Sequence, residues 1–227
     1  MMISPVKHLL KKNKVTVFDG HGRLDGTGKV AVSDGDNDTA ALTAKNIILA
    51  PGARARDLPG LKADGELVWS YKEAMVPETM PLSLLVVGSG AIGIEFASFY
   101  QNLGSEVTIV EVLDRVLPVE DVEISLFAAK AFEKQGMSLM TSAQVMTLKS
   151  GARGVTATIE SAGKTTDLTV ERVIMAVGIV GNVDDIGLEG TKVEVGREHI
   201  VINEWCETGE SGVYAIGDVV GPPWLAH

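Results

Sequence analysis

The sequence predicts an α/β fold that combines a parallel sheet with an antiparallel meander. From residue 84 onward, apolar segments of strand length alternate with segments of helical periodicity, which is typical of a parallel sheet. Between residues 22 and 45, a weak apolar–polar alternation is broken by a turn rich in Gly, Asp and Asn, which indicates a meander. The chain has 227 residues, of which 45% are hydrophobic, so it can form one large domain or two modest ones.

The composition argues against two classes of partner. The formal net charge of −10 disfavours a nucleic-acid or anionic-membrane surface, which needs clustered Lys and Arg. No apolar run approaches the roughly 20 residues that span a bilayer, and the N-terminus lacks the regions of a signal peptide. The single cysteine, Cys206, cannot form an internal disulfide, which fits a reducing compartment. We therefore expect a cytoplasmic protein that binds neither nucleic acid nor membrane.

The first third of the chain predicts one helix and several strands. Residues 6–14 end a helix whose lysine-rich last turn suits the negative end of the helix dipole, and residues 15–18 follow as a short strand. After the meander, the apolar run at 45–50 predicts a buried strand that ends at Pro51-Gly52. Two prolines make residues 75–81 the best candidate linker.

The rest of the chain predicts alternating strands and helices, followed by a loop-rich tail. Strands are expected at 84–87 and 106–110, and helices at 91–102 and 121–135; the second helix is amphipathic and ends at Gly136. Further strands are expected at residues 138–140, 155–159, 168–170, 172–176 and 213–216.

A glycine-rich loop lies between the strand at 84–87 and the helix that follows it. Its residues are Gly88-Ser89-Gly90-Ala91-Ile92-Gly93. Gly88 permits a tight turn, Gly90 has no side chain to keep the backbone away from a pyrophosphate, and Gly93 lets the helix pack close to the sheet. The start of the helix, at Ala91 and Ile92, presents free N–H groups to a diphosphate. The glycines alone are a weak signal, but their place between strand and helix predicts a dinucleotide site.

An acidic residue completes the dinucleotide-binding pattern. Glu111 ends the next strand, about 20 residues after the loop. A carboxylate there accepts hydrogen bonds from the adenosine ribose hydroxyls and repels a 2′-phosphate, and no arginine precedes Arg115 in this segment to bind one. The pattern predicts NAD rather than NADP. The alternative is a structural glycine turn followed by a surface glutamate.

A second glutamate, Glu95, lies two residues after the loop in an apolar stretch that includes Ile92, Ile94 and Phe96. A carboxylate in such surroundings is costly unless it is paired or functional. Position alone is equally consistent with an exposed helical glutamate.

Four motifs occur in order along the chain and together resemble the flavoprotein disulfide reductase family. They are residues 48–52 with Leu58-Pro59-Gly60, the glycine loop continued to Glu95, Ala176-Val177-Gly178, and residues 212–218. The resemblance covers essentially the whole chain. It is greatest to family members that oxidise dihydrolipoamide, on residues 10–15 and 221–227.

The resemblance implies roles for individual residues. Glu95 would lie beside the nicotinamide and the flavin, and Gly178 would approach the NAD. Four residues are implied toward FAD: Gly52, Asp218 on the ribityl chain, and the backbone of Ala226 and His227 at the isoalloxazine edge. His227 belongs to this flavin-contact motif, so it is not expected to act as an acid–base catalyst.

The sequence also departs from the family pattern. Pro51 replaces the usual Thr beside the flavin, and Ile179-Val180-Gly181-Asn182 replaces an Arg-rich segment. A first glycine loop, the redox dithiol and the C-terminal domain with its His–Glu pair are absent. We therefore expect an internal fragment, with a partial FAD-binding domain at 1–78, an NAD-binding domain at 79–180 and a return into the FAD-binding domain at 181–227.

The resemblance implies a parent enzyme that passes electrons from dihydrolipoamide through a disulfide and FAD to NAD⁺. Its implied partner is the lipoyl domain of a 2-oxo-acid dehydrogenase complex, and its implied state is a homodimer. The fragment is expected to bind NAD(H) without turnover, because Cys206 matches neither redox cysteine. The alternatives are a reductase of the NADH oxidase, ferredoxin reductase or mercuric reductase type, and a stand-alone NAD-binding module.

Overall fold

The computed structural model describes residues 5–222 and residue 224. These residues form two compact units: one joins the described residues up to Arg54 to those from Val180 onward, and the other is the continuous segment Ala55–Ile179. Residues 55–78, which the sequence places in the first domain, thus lie in the second unit. The reason is that the strand Val68–Trp69 pairs with the strand Arg172–Met175 of that unit.

The helices and strands are numbered here in chain order. The described chain up to Ala55 contains α1 (Pro5–Lys12), β1 (His21–Leu24), β2 (Lys29–Asp34), β3 (Asn37–Thr43), β4 (Ile47–Leu49) and β5 (Ala53–Ala55). The second unit contains β6 (Val68–Trp69), α2 (Tyr71–Met75), β7 (Ser83–Val87), α3 (Ala91–Asn102), β8 (Glu106–Val110), α4 (Val122–Lys134), β9 (Ser138–Met140), β10 (Ala143–Gly151), β11 (Gly154–Ser161), β12 (Lys164–Val170) and β13 (Arg172–Met175). The remaining elements are β14 (Ile179–Gly181), β15 (Val195–Gly196), β16 (His199–Ile200), β17 (Val213–Ala215) and the 3₁₀ helix Gly217–Val220.

The first unit contains the predicted meander, in which β1, β2 and β3 pair antiparallel. Strand β4 forms where a strand was predicted and pairs in parallel with β17. It is not buried along its length as expected, because Ile47 is buried whereas Ile48 is exposed. The core of the unit is formed by eight buried side chains: Leu24, Ile47, Ile186, Val193, Ile200, Val213, Ala215 and Val219. The predicted strand at 15–18 is wrong. Its apolar side chains are exposed, and pairing with β2 begins only at His21.

The second unit is built on a five-stranded parallel sheet with the order β6-β13-β7-β8-β9. Leu84 and Val86 of β7 pack into a core on one face, together with Ile94 of α3. Leu85 and Val87 pack into the core on the opposite face. Because both faces are covered, β7 is apolar at successive positions, and this explains why it was predicted at nearly its observed bounds.

A three-stranded antiparallel sheet, β10-β11-β12, covers the second face of the parallel sheet. Strand β10 was not predicted, although it is nine residues long. The pairing register of β10 shifts between Val145 and Thr147, which interrupts the alternation of apolar and polar side chains. The signal that identifies a half-buried strand is therefore broken in the middle of β10.

The two long helices of this unit differ in how they use their apolar residues. Helix α3 buries Gly93, Ile94, Ala97 and Tyr100, which is the spacing of one helical face. Helix α4 occupies nearly the predicted residues, but only Ser125 is buried in it. The apolar side chains of its first half are exposed, so they do not form the single buried face expected of an amphipathic helix.

Candidate functional site

The glycine loop, Glu111 and the turn after β13 lie at the same edge of the parallel sheet. Strands β7, β8 and β13 run in parallel, so Gly88, Glu111 and Ala176 follow their carboxyl ends together. Strand β8 lies on one side of β7, whereas β13 lies on the other. Open α/β sheets bind ligands where the chain turns to opposite sides in this way.

The three glycines of the loop have different surroundings. Gly88 has a φ of +98°, and an added Cβ atom would collide with the carbonyl oxygen of Ala176. A Cβ on Gly93 would collide with the carbonyl oxygen of Gly88. A Cβ on Gly90, in contrast, would meet no atom within 4 Å. Gly88 and Gly93 are therefore required by the fold, whereas packing does not require Gly90; its contact with a pyrophosphate stays a prediction.

The N-terminus of α3 is suited to an anion. Gly90 is its N-cap residue and provides no side-chain hydrogen bond to the helix, and the first turn contains no acidic residue. Ala91 and Ile92 follow with their backbone N–H groups in the first turn, where the helix dipole is positive. Free backbone N–H groups at such a helix end can bind an anion, and the contact of this end of α3 with a diphosphate stays a prediction.

The carboxylate of Glu111 is buried, with 6% of the residue exposed. Its Oε2 atom accepts hydrogen bonds from the backbone N–H of Ser89 at 2.8 Å and from the Ser89 hydroxyl at 2.7 Å. Its Oε1 atom accepts one from the backbone N–H of Leu113 at 2.9 Å. Glu111 is thus held against the glycine loop rather than extended into solvent, which differs from a surface glutamate next to a structural turn.

The segment after Glu111 folds back onto the loop. The backbone N–H of Leu117 donates to the carbonyl oxygen of Ser89 at 2.9 Å. Arg115, the first arginine after Glu111, donates to Asp114 and to the carbonyl oxygen of Pro118. Two of its donor nitrogens are therefore engaged within its own segment, while its buried Nε has no hydrogen-bond partner among the described residues.

Glu95 is exposed on α3, while its neighbours Ile94 and Ala97 are buried. None of the described residues hydrogen-bonds its carboxylate. Its exposure removes the desolvation cost, so burial provides no argument for a function. Glu95 lines a cavity of about 480 Å³ with side chains that include Phe99 and Phe132. Its role toward a nicotinamide stays a prediction.

A smaller cleft next to Glu111 was not found from the sequence. It has a volume of about 160 Å³ and is lined by Val112, residues 142–144 and residues 160–162. It adjoins the acidic residue, because the backbone N–H of Ala143 donates to the carbonyl oxygen of Glu111 at 3.0 Å. Most of its lining lies at the ends of β10 and β11, so only the pairing of these strands brings it together.

Gly178 lies beyond β13 at the same edge of the sheet. It has a φ of +109°, which is unfavourable for a residue with a side chain, and its carbonyl oxygen accepts a hydrogen bond from the N–H of Arg56 at 2.9 Å. The glycine is therefore explained by its backbone conformation, and its contact with NAD stays a prediction.

Two of the four residues implied toward FAD, Gly52 and Asp218, lie in the first unit. Strands β4 and β17 run in parallel, so Gly52 and Asp218 both follow carboxyl ends at one edge. Gly52 has a φ of +73° and open space where a Cβ would lie. Asp218 is half-buried, and in the described part of the chain its carboxylate has no hydrogen-bond partner, so it is free to accept from a ligand hydroxyl. Ala226 and His227 lie outside the described residues.

Arg54 provides a guanidinium near the segment that departs from the family pattern. It donates to the carbonyl oxygen of Gly181 at 3.2 Å, to Asn182 at 3.1 Å and to Asp184 at 2.6 Å. The Asn182 amide in turn donates to the carbonyl oxygen of Pro51 at 2.9 Å. The sequence provided no signal for this cluster, because Arg54 and its partners are more than 120 residues apart in the chain.

Two features are absent from residues 5–222 and residue 224. No helix there is long and apolar enough to cross a membrane. Nor do three or more His, Cys, Asp or Glu side chains come together there in a group that holds a metal ion.

The chain is similar to proteins of one family. The family model described as pyridine nucleotide-disulphide oxidoreductase matches residues 3–227. A dihydrolipoyl dehydrogenase from Zymomonas mobilis is 46% identical over 227 residues, which is 100% of this chain and 49% of the relative. One from Rhizobium etli is 44% identical over 237 residues, which is 98% of this chain and 49% of the relative. The chain thus spans about half the length of the curated relatives it matches.

Solved structures agree with the described fold. The crystal structure of LpdA from Mycobacterium tuberculosis has a TM-score of 0.82 and 29% identity, and the match covers 97% of this chain and 51% of that one. The HOCl-induced flavoprotein disulfide reductase RclA from Escherichia coli has a TM-score of 0.81 at 24% identity, with 97% and 51% covered. At that identity, the second match concerns the fold alone.

Proposed function

The chain belongs to the pyridine nucleotide-disulphide oxidoreductase family, and on that premise we propose that its continuous unit, Ala55–Ile179, binds NAD(H) in preference to NADP(H). The observation that carries the proposal is the arrangement at the carboxyl edge of the parallel sheet. Gly90 leaves space for a pyrophosphate at the start of α3, and the buried carboxylate of Glu111 lies where the adenosine ribose would follow. The cleft lined by Val112 continues from Glu111 and is the proposed place of the adenine.

The preference for NAD(H) follows from charge. A 2′-phosphate would bring a second negative charge close to the Glu111 carboxylate, and two like charges about 4 Å apart repel by about 4 kcal/mol at an effective dielectric constant of about 20. Two donor nitrogens of Arg115 already bind Asp114 and the carbonyl oxygen of Pro118, so we assign this arginine no contact with a 2′-phosphate. We expect NADH to bind at least about tenfold more tightly than NADPH.

For the whole protein we propose the activity of a dihydrolipoamide dehydrogenase, since relatives at 44% and 46% identity carry the name dihydrolipoyl dehydrogenase. The bound nicotinamide and flavin would supply the hydride-transfer chemistry. Glu95 would position the nicotinamide end, and Gly52 and Asp218 in the first unit would hold the flavin. The proposed partner is the lipoyl domain of a 2-oxo-acid dehydrogenase complex, the proposed state is a homodimer, and the proposed location is the cytoplasm.

This chain alone is proposed to bind NAD(H) without turning over dihydrolipoamide. The redox step needs two cysteines that exchange a disulfide, and the sequence contains only Cys206. The position of Cys206, in a turn next to Asn203, matches neither of the two redox cysteines. Lipoamide-dependent NADH formation by the purified chain would contradict this proposal.

Reversal of the charge at Glu111 tests the proposed specificity. In Glu111→Arg, the dissociation constants for NADH and NADPH, measured by calorimetric titration, are expected to approach each other or to exchange rank, because an arginine binds a 2′-phosphate. The matched control is Glu106→Arg, which makes the same charge change at the exposed amino end of the same strand. A preference that changes equally in both variants would mean that net charge, not the site, sets the specificity.

A further inference from the structure

Ser89, the second residue of the glycine loop, is joined to the segment after β8 through all three of its polar groups. It is fully buried, with 0% of its surface exposed. Its backbone N–H and its hydroxyl both donate to Oε2 of Glu111, and its carbonyl oxygen accepts from the N–H of Leu117. A glycine or an alanine at this position would retain the two backbone contacts and lose the third.

The hydroxyl changes what the Glu111 carboxylate offers to a ligand. Each carboxylate oxygen has two lone pairs that accept hydrogen bonds. Both lone pairs of Oε2 are occupied by Ser89, and one of Oε1 is occupied by the N–H of Leu113. One acceptor position therefore remains for a ribose hydroxyl, and it lies on Oε1.

We propose that Ser89 is a positioning residue for cofactor specificity, which fixes the Glu111 carboxylate so that Oε1 receives the ribose 2′-hydroxyl. This inference rests on the proposed NAD(H) function of the site. Ser89 does not touch the ribose itself, because it is completely buried; it acts through Glu111. A carboxylate held by three donors is oriented before the ligand arrives, so binding does not have to restrict its rotation.

The proposal distinguishes the two nucleotides. Without the Ser89 hydroxyl, the carboxylate loses one hydrogen bond to a charged acceptor and part of its fixed orientation, which weakens NADH binding by about tenfold. NADPH gains nothing from that orientation, since its 2′-phosphate is repelled by the carboxylate. The ratio of the two dissociation constants is therefore expected to narrow by about the same factor.

The test is calorimetric titration of the full chain with NADH and with NADPH, before and after Ser89→Ala. The matched control is Ser105→Ala, since Ser105 is also a buried serine of this unit, with 2% exposure, whose hydroxyl donates to the carbonyl oxygen of Pro81 at 2.6 Å. Ser105→Ala is expected to lower the Tm comparably and to leave the ratio unchanged. A purely structural role of Ser89 would make the two variants behave alike.

A second measurement shows whether Ser89 acts through Glu111. In a Glu111→Ala background, Ser89→Ala is expected to change the NADH to NADPH ratio by less than about twofold, because the group it positions is gone. If Glu111→Ala does not fold, the comparison of Ser89→Ala with Ser105→Ala decides alone.

The outcomes separate this inference from the proposed function. If the unmodified chain prefers NADH and Ser89→Ala leaves the ratio of the two dissociation constants unaltered, the role of Ser89 is overturned while the proposed function stands. Failure of the unmodified chain to bind either nucleotide would overturn the proposed function, and the role of Ser89 with it.

Discussion

At Gly93 an added Cβ atom would meet the carbonyl oxygen of Gly88, whereas at Gly90 it would meet open space. The two glycines lie three residues apart, yet packing requires only Gly93. A ligand that approaches the backbone, as proposed for a pyrophosphate, would explain a glycine that packing does not need. At the scale of single residues, this contrast is expected of the proposed dinucleotide loop and not of a purely structural turn.

Alanine is predicted to affect mainly NADH binding at Gly90 and mainly stability at Gly93. Gly90→Ala should lower the free energy of unfolding by less than about 1 kcal/mol, since the N-cap loses no hydrogen bond, and should weaken NADH binding at least about tenfold. Gly93→Ala should lower the free energy of unfolding by about 1–3 kcal/mol through the collision with Gly88. Urea denaturation and calorimetry measure both quantities. Unchanged NADH affinity in Gly90→Ala would contradict the assigned role.

At the scale of elements, the start of the edge strand β6 depends on one carboxylate. Asp64 accepts hydrogen bonds from the backbone N–H groups of Glu66, Leu67 and Val68, each at 2.8 Å. Partial burial acts to raise the pKa of Asp64, but these hydrogen bonds outweigh it and hold the pKa below the usual 3.8. The ionised form of Asp64 therefore stabilises the turn that leads into β6.

The pH dependence of stability should show this contribution. Because the pKa of Asp64 is lowered on folding, its contribution is present above pH 3.8 and is lost as the pH falls through the lower pKa of the folded state. Asp64→Asn should therefore be less stable than the unmodified chain at neutral pH. The difference should shrink below pH 3.8, as urea denaturation across the pH range would measure. A difference that is independent of pH would show that charge plays no part.

The strands that could be predicted share a physical property. Strand β7 is covered on both faces, so its residues are apolar at successive positions and stand out in the sequence. Strand β10 is covered on one face and carries a bulge, so its pattern is interrupted. The segment 15–18 has the apolar residues of a strand but neither a partner strand among the described residues nor a buried face. An apolar segment is therefore a dependable sign of a strand only where the fold also buries its side chains.

At the scale of the whole molecule, the second unit is one continuous segment of the sequence, and it separates the two segments of the first unit. Its ends are adjacent, because the N–H of Arg56 donates to the carbonyl oxygen of Gly178 at 2.9 Å. The glycine loop, Ser89 and Glu111 all belong to this unit. Both of its cores are formed from its own residues.

The segment 55–179 alone is therefore predicted to fold and to keep its nucleotide site. Its thermal unfolding should be a single cooperative transition, and its dissociation constant for NADH should lie within about threefold of that of the full chain. The matched sample is the same segment with Gly90→Ala, which should fold equally well and bind weakly. A segment that folds but does not bind NADH would place essential residues in the other unit.

The candidate site could be predicted where it depends on neighbours in sequence. Gly88, Gly90, Gly93 and Glu111 belong to one strand–helix–strand unit. Their spacing is therefore a local pattern that the sequence alone shows. The cleft beside Val112 and the cluster around Arg54 join residues from distant segments. The contacts of Ser89 also depend on how the segment after β8 folds back. These features follow from tertiary structure and leave no local pattern.

The central claim, an NAD(H) site specified by Glu111 at the carboxyl edge of the parallel sheet, is tested most directly by calorimetric titration of the unmodified chain with NADH and NADPH. We predict saturable binding of NADH with a dissociation constant at least about tenfold below that of NADPH. Equal affinity for the two nucleotides would contradict the role of Glu111, and binding of neither would contradict the site itself.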